Sequence, residues 1–215
     1  MFLTTTPTTQ HRLHNRHNIP MSSKKEPPPI YQLKITLIGI EPPIWRAIQV
    51  PGSVKMCCLP SAFQVVMGWK DSHLHEFEKD GKRWGMVQLY ENEELDVTED
   101  SDATLSEVLG SEGESVIYIY DFGDYWQHKV LLEKIIQVNE IMKIPICLAG
   151  ARRCPPEDVG GVSGYEEFLE VIVDPTHEEY EQYVGWVGGH FLDEFNMKDV
   201  NEILARMRWP IRHRR

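Results

Sequence analysis

The sequence predicts an α+β fold: a single domain with a mixed or antiparallel sheet, one early helix packed on it, and a helical C-terminal third. Three observations predict it. Strand-like runs bounded by turn residues fill most of residues 31–138, one amphipathic segment interrupts them early, and helical periodicity takes over near the end. With 215 residues, 41% of them apolar, the chain has the length of one domain and the material for one substantial core.

YQLKITLIGI (31–40) sets Leu33, Ile35 and Leu37 against Gln32, Lys34 and Thr36, the period of a half-buried strand. Pro42 and Pro43 end it, and IWRAIQV (44–50) reads as the returning strand, closed by Pro51-Gly52. From Leu59, the apolar residues Phe63, Val66 and Met67 fall on one helical face, with Pro60 in the first turn and Gly68 at the end. HLHEFEKDGKRWGMVQL gives two short strands around Asp80-Gly81. An acidic loop from Glu91 to Asp102 leads to a helical turn at TLSEVLG. SVIYIY (115–120) and HKVLLEKIIQV (128–138) are further strands, and YDFGDYWQHKV (120–130) spans the connection between them.

CLAGARRCPPEDVGG reads as a loop. Helices are expected at YEEFLEVIVD, at PTHEEYEQYVG with Asp174 as N-cap, and at MKDVNEILARM with Asn196 as N-cap. Val200, Ile203, Leu204 and Met207 form the expected buried stripe of the last one.

Residues 1–29 carry a single acidic residue, Glu26, and little apolar content after Leu3. A segment of this kind buries too little surface to offset its ordering entropy, so a disordered extension is expected, with Met21 as the native start. The domain is then expected over 30–208, followed by a basic tail at 209–215.

The formal charge of -11 opposes broad nonspecific nucleic-acid binding, which needs clustered Lys and Arg. No apolar run approaches the length of about 18 residues that spans a membrane. Four cysteines, two of them adjacent at Cys57 and Cys58, do not make a disulfide framework, and a cytoplasmic location is expected.

Taken in order, IWRAIQVPGS, FQVVMGWKDSHLHEF, YDFGDYWQHKVLLEKI and CLAGARRCPPEDVGGVSGYEEFLEVIVDP resemble the Ri-plasmid ORF-3-like family (plasmid pRiA4b type). The resemblance runs from residue 30 to about 205 and implies a single α+β domain. Members are often labelled passengers of insertion elements with TnpR-like names, which reflects genetic neighbourhood and not chemistry. The family helix usually carries Leu-His near its start, where this chain has Leu59-Pro60.

Three constellations hold the chemistry-bearing groups. In YDFGDYWQHKV, Asp121 and Asp124 bond backbone amides of a turn and Gly123 supplies a positive φ on the structural reading; on the functional one, Asp121, Asp124 and His128 form a site. Trp126 and His128 share one face of their strand. The DFG triplet has none of the other motifs of a kinase around it.

In HLHEF, His73 and His75 point the same way if both lie on a strand, as facial metal coordination requires, while Glu76 points to the other face. A third ligand would come from His128, Asp121 or Asp124; the structural reading is a hydrogen-bonded sheet edge. The third constellation, Cys147 and Cys154 followed by Pro155, Pro156, Glu157 and Asp158, lacks the spacing of structural zinc sites. Cys147 is expected to be buried, and Cys154 to open a rigid loop whose Glu157 and Asp158 cap the helix beyond Gly160-Gly161. Trp45, Trp69, Trp84, Trp126 and Trp186 read as core or groove wall, and the arginines from Arg206 onward as a solvated tail.

The leading expectation is an accessory or binding module for a protein or small-molecule ligand. Its groove would be lined by Trp69, His73, His75 and Glu76, by the turn from Asp121 through Asp124 and Trp126 to His128, and by Glu157 and Asp158. A second is a metal-dependent, hydrolase-like enzyme. Its divalent metal would be held by His73, His75 and His128, with Asp121 or Asp124 as a further ligand or as general base. A third, from the family label alone, is a DNA-binding transposition accessory protein.

Overall fold

The computed structural model describes residues 27–90, 96–138, 143–188 and 195–207. The expected extension up to residue 26, part of the acidic loop and the basic tail lie outside the described residues. Strand β1 (Ile30–Leu37) follows the period-two pattern, with Leu33, Ile35 and Leu37 buried and Gln32, Lys34 and Thr36 half-buried on the other face. β2 (Trp45–Pro51) returns antiparallel beside it. Helix α1 (Leu59–Met67) has Pro60 in its first turn and ends on Gly68, whose φ of 96° closes the helix in the left-handed conformation. The hairpin β3 (His75–Lys79) and β4 (Lys82–Gly85) turns at Asp80-Gly81.

Next come β5 (Val97–Glu99), α2 (Leu105–Val108), β6 (Ser115–Tyr120), β7 (Trp126–Ile136) and β8 (Ile146–Ala151). Helices α3 (Gly161–Ile172), α4 (Tyr180–Val187) and α5 (Met197–Leu204) follow. The strands form one sheet in the order β5-β4-β3-β6-β7-β1-β2-β8, antiparallel except for the β4–β5 pair. Its inner face carries rows of facing side chains, among them Phe77, Tyr118, His128 and Leu37. Phe63 of α1 meets Phe77 and Tyr118 edge-on, with ring centroids 6.2 and 5.2 Å apart. Burying side chains of this size contributes about 1.5–3 kcal/mol each, so this contact is one of those that hold α1 to the sheet. Among the described residues, no helix is long and apolar enough to cross a membrane.

Several elements differ from their sequence expectation. Val97–Glu99 and Ile146–Ala151 form strands where loops are expected. β8 is an edge strand whose outer side is met by a side chain: Asn201 of α5 accepts from Cys147 N and donates to Cys147 O, both at 2.8 Å. A primary amide carries the same donor and acceptor as a backbone, so Asn201 takes the place of a neighbouring strand. Asp174 does not cap a helix at Pro175; it holds a local turn by accepting from Thr176, and α4 begins later at Tyr180. Asn196 does cap α5, accepting from Lys198 N and Asp199 N. Of the stripe expected on α5, Leu204 is buried and Ile203 is exposed, because the helix rests on β8 and α1 by a narrow line.

The most unusual core residue is Arg46, on the inner face of β2 and only 1% exposed. Its guanidinium bonds four carbonyls and one sulfur: Nε to Val66 O (2.6 Å), Nη1 to Trp45 O (2.8 Å) and Ala151 O (2.9 Å), Nη2 to Arg152 O (2.9 Å) and to Cys154 Sγ. The Phe195 ring lies against it, with the guanidinium carbon 3.8 Å from the ring centroid. Cys154 Sγ is 3.8 Å away, and burial pushes that thiol up to about 12 despite the cation, so it stays neutral. Opposite Arg46 stands Gly150, where a Cβ would lie 2.7 Å from Arg46 Cδ and 2.7 Å from Phe195. Arg46→Met leaves these carbonyls without their donor. A buried unsatisfied group costs about 1–3 kcal/mol, so the expected total loss is about 3–5 kcal/mol by urea denaturation. A loss below about 1 kcal/mol would show that the guanidinium does not hold these elements.

Candidate functional site

The antiparallel order brings separate loops to one end of the sheet. His75 faces Tyr120 and Tyr120 faces Trp126, so the residues before β3, after β6 and before β7 meet there. Leu37 faces His128 and Trp45 faces Ala151, which puts the loop after β8 at the same end. The C-terminal end of α1 joins them. Trp69 Nε1 donates to Pro155 O (2.9 Å), and Lys70 N donates to Glu157 Oε1 (2.7 Å). Tyr120 Oη ties three segments at once: it accepts from Ser72 N (3.0 Å) and donates to the Glu157 carboxylate (3.2 Å). Burial, with the Glu157 carboxylate adding to it, pushes the Tyr120 phenol well above its ordinary range and keeps it a donor.

Within this cluster, His73 Nε2 lies 3.2 Å from Asp158 Oδ1, 3.6 Å from Asp121 Oδ2 and 3.8 Å from Glu157 Oε2. Nε2 is shut off from solvent, yet none of these oxygens meets it in hydrogen-bond geometry. Asp121 and Asp158 both adopt the left-handed backbone conformation, with φ of 58° and 57°. Such strain in non-glycine residues concentrates at functional sites. Asp121 Oδ1 accepts from Gly123 N at 2.9 Å, which leaves Oδ2 to face His73.

The turn departs from expectation in two ways. Positive φ falls on Asp121 and Tyr125, not on Gly123. Asp124 reaches outside the turn and accepts from Gly160 N at 3.1 Å, and a Cβ on Gly161 would lie 2.6 Å from Asp124 O. Glu157 and Asp158 therefore do not cap α3; its N-cap is Gly160, and both carboxylates turn toward α1 and His73.

His73, His75 and His128 do not converge. β3 begins at His75, so His73 precedes the strand and escapes its alternation. His75 pairs instead with Asp100, Nε2 to Oδ2 at 3.4 Å. Glu76 is buried on the opposite face and binds Arg83 at 2.8 Å. His128 lies fully in the core beside Trp69 and Tyr118, with Nδ1 donating to the Tyr118 carbonyl at 3.2 Å. That carbonyl only accepts, which assigns the proton to Nδ1. Trp126 is buried on the same face and, with Trp69, forms the floor under the loops. Among the described residues, His73, Asp121 and Asp158 are the only group of three or more His, Cys, Asp or Glu whose ligand atoms come together, all within 4.8 Å of one another.

A cleft of about 280 Å³ opens beside this group, between Gly68–Lys70, Arg153–Asp158 and Trp186. Trp186 of α4 is 48% exposed at its edge. Lys70, Arg153 and Tyr120 are site residues that the sequence did not single out. Tyr120 stands directly before Asp121, but nothing local marks it as the hub of three loops.

Burial pulls the His128 pKa down to about 4, with the carbonyl bond opposing only in part. The unfolded chain therefore binds this proton near pH 6.5 and the folded chain only near pH 4, so His128 costs stability as pH falls through that window. The wild type is expected to lose about 2 kcal/mol more between pH 7 and pH 5 than His128→Gln, measured by urea denaturation at both pH values. Equal slopes would show that His128 is not neutral in the native protein.

A family model described as plasmid pRiA4b ORF-3-like protein matches residues 29–202. The uncharacterized protein y4hQ of Sinorhizobium fredii is 32% identical over 191 residues, covering 86% of this chain and 97% of that protein. A crystal structure of a protein of unknown function from Methanosarcina mazei Go1 matches with a TM-score of 0.71 at 44% identity, over 80% of this chain and 97% of that one. With nearly all of its domain matched in sequence and in fold, this chain belongs to the plasmid pRiA4b ORF-3-like family.

Proposed function

We propose that this chain is a binding module whose ligand seats at the loop end of the sheet, in the cleft between Trp69, Pro155 and Trp186. The observation that carries this reading is the cross-bonding of three distant segments, 69–73, 120–124 and 153–160, the first and last of which line one cleft. Loops are normally the mobile part of a domain, and loops fixed to one another by several hydrogen bonds, one of them buried, give a pre-organised surface. An exposed tryptophan beside charged groups supplies an apolar anchor with polar orientation around it. At about 280 Å³ the cleft lies at the small end of ligand sites, suited to a metabolite or to one or two side chains of a peptide.

The hydrolase reading built on His73, His75 and His128 loses its ligand set, because those imidazoles face different partners. The net charge of -11 gives the DNA-binding reading no support.

A thermal-shift screen of metabolites and short peptides on the full chain tests the proposal. A ligand at a hundred times its Kd stabilises by about 2.7 kcal/mol, or roughly 5–10 °C in a domain of this size. Such shifts are expected on the wild type and are expected to vanish on Trp186→Ala, whose side chain is largely outside the core. Hits that keep their full shift on that variant would place binding elsewhere.

A further inference from the structure

We propose that His73 Nε2, Asp121 Oδ2 and Asp158 Oδ1 bind a divalent transition cation, of the zinc, manganese or iron(II) class, with Glu157 Oε2 as a fourth donor. Two donors about 2.1 Å from one metal lie about 3.0 Å apart at a right angle and about 3.4 Å apart at the tetrahedral angle. Of the distances from His73 Nε2, 3.2 Å to Asp158 falls inside that range, and 3.6 Å to Asp121 and 3.8 Å to Glu157 lie a few tenths above it. They are longer than the hydrogen bonds the same carboxylates make elsewhere, such as 2.7 Å from Lys70 N to Glu157 and 2.9 Å from Gly123 N to Asp121.

A second observation comes from the imidazole itself. Its ring edge is partly exposed, but Nε2 is closed off from solvent and has no hydrogen-bond partner. With the ring proton on Nδ1, the Nε2 lone pair faces three carboxylates, and a divalent cation seated between them makes every one of these contacts attractive. The outer oxygens and their donors complete the pattern: Gly123 N fixes Asp121 Oδ1, and Lys70 N fixes Glu157 Oε1. Donors behind the ligands orient carboxylates in this way at metal sites. One imidazole with two or three carboxylates suits a borderline divalent cation better than a hard one, which prefers oxygen alone.

Asp158 is 72% exposed and also lines the cleft, so the cation's remaining coordination positions face it. Only this link to a cleft ligand rests on the function proposed above; the cation site itself does not.

The test uses the full chain, without a His tag, stripped with chelator and titrated with Mn²⁺ followed by electron paramagnetic resonance, and with Zn²⁺ by calorimetry. One ion per chain is expected. His73→Gln and Asp158→Asn are each expected to weaken it by roughly 100-fold or more, and His75→Gln to leave it unchanged. Circular dichroism of the stripped variants verifies that they are folded; Asp158→Asn, at an exposed side chain, keeps the test decisive if His73→Gln does not fold. Absence of stoichiometric binding by the wild type overturns the proposal, as does equal binding by folded Asp158→Asn. Trp186→Ala is expected to keep the ion, so loss of the cleft ligand and loss of the cation are read separately.

Discussion

Arg46 is the fixed point on which the loop end of the sheet depends. Its guanidinium reaches the last turn of α1 through Val66 O and the end of β8 through Ala151 O and Arg152 O. Those two places are where the chain enters Gly68–His73 and the loop that carries Glu157 and Asp158. The cation is met by carbonyl dipoles, the face of Phe195 and the Cys154 sulfur, and four of its five hydrogen bonds go to backbone. Lysine, with one ammonium on a flexible stem, has no planar fork to span these positions. The missing side chain at Gly150 is part of the same arrangement, because it leaves the channel along which Arg46 crosses from β2 toward β8.

What was legible in the sequence was mostly local. The alternation of β1, the apolar face of α1 with Pro60 and Gly68 at its ends, and the Asn196 cap each depend on neighbours within a few residues. β8 was illegible for the opposite reason. Its residues, Ile146 to Ala151, include small ones with weak strand preference, and β2 on one side and the Asn201 amide on the other make it a strand. Asp174 misleads because a side chain that closes a local turn carries the same signature as one that starts a helix.

The candidate site was half legible. Asp121, Asp124, Glu157 and Asp158 stand out as acidic residues in glycine- and proline-punctuated loops, and His73 as one of a close pair. Which of them meet is a property of strand order. His75 is two residues from His73 and belongs to a different environment, because the strand begins between them. Asp158 is far away in sequence and lies 3.2 Å from the same imidazole. His128, the histidine most conspicuous beside Trp126, serves as a neutral packing group.

The Asn201 contact on β8 also bears on what that edge of the sheet can pair with. A free sheet edge offers a row of donors and acceptors to any other strand, and proteins commonly protect such edges with charge or bulges. Here an amide on α5 occupies the Cys147 position. Any departure of that short helix uncovers a template for intermolecular strand pairing. The last described helix therefore covers this edge position, in addition to its part in the core.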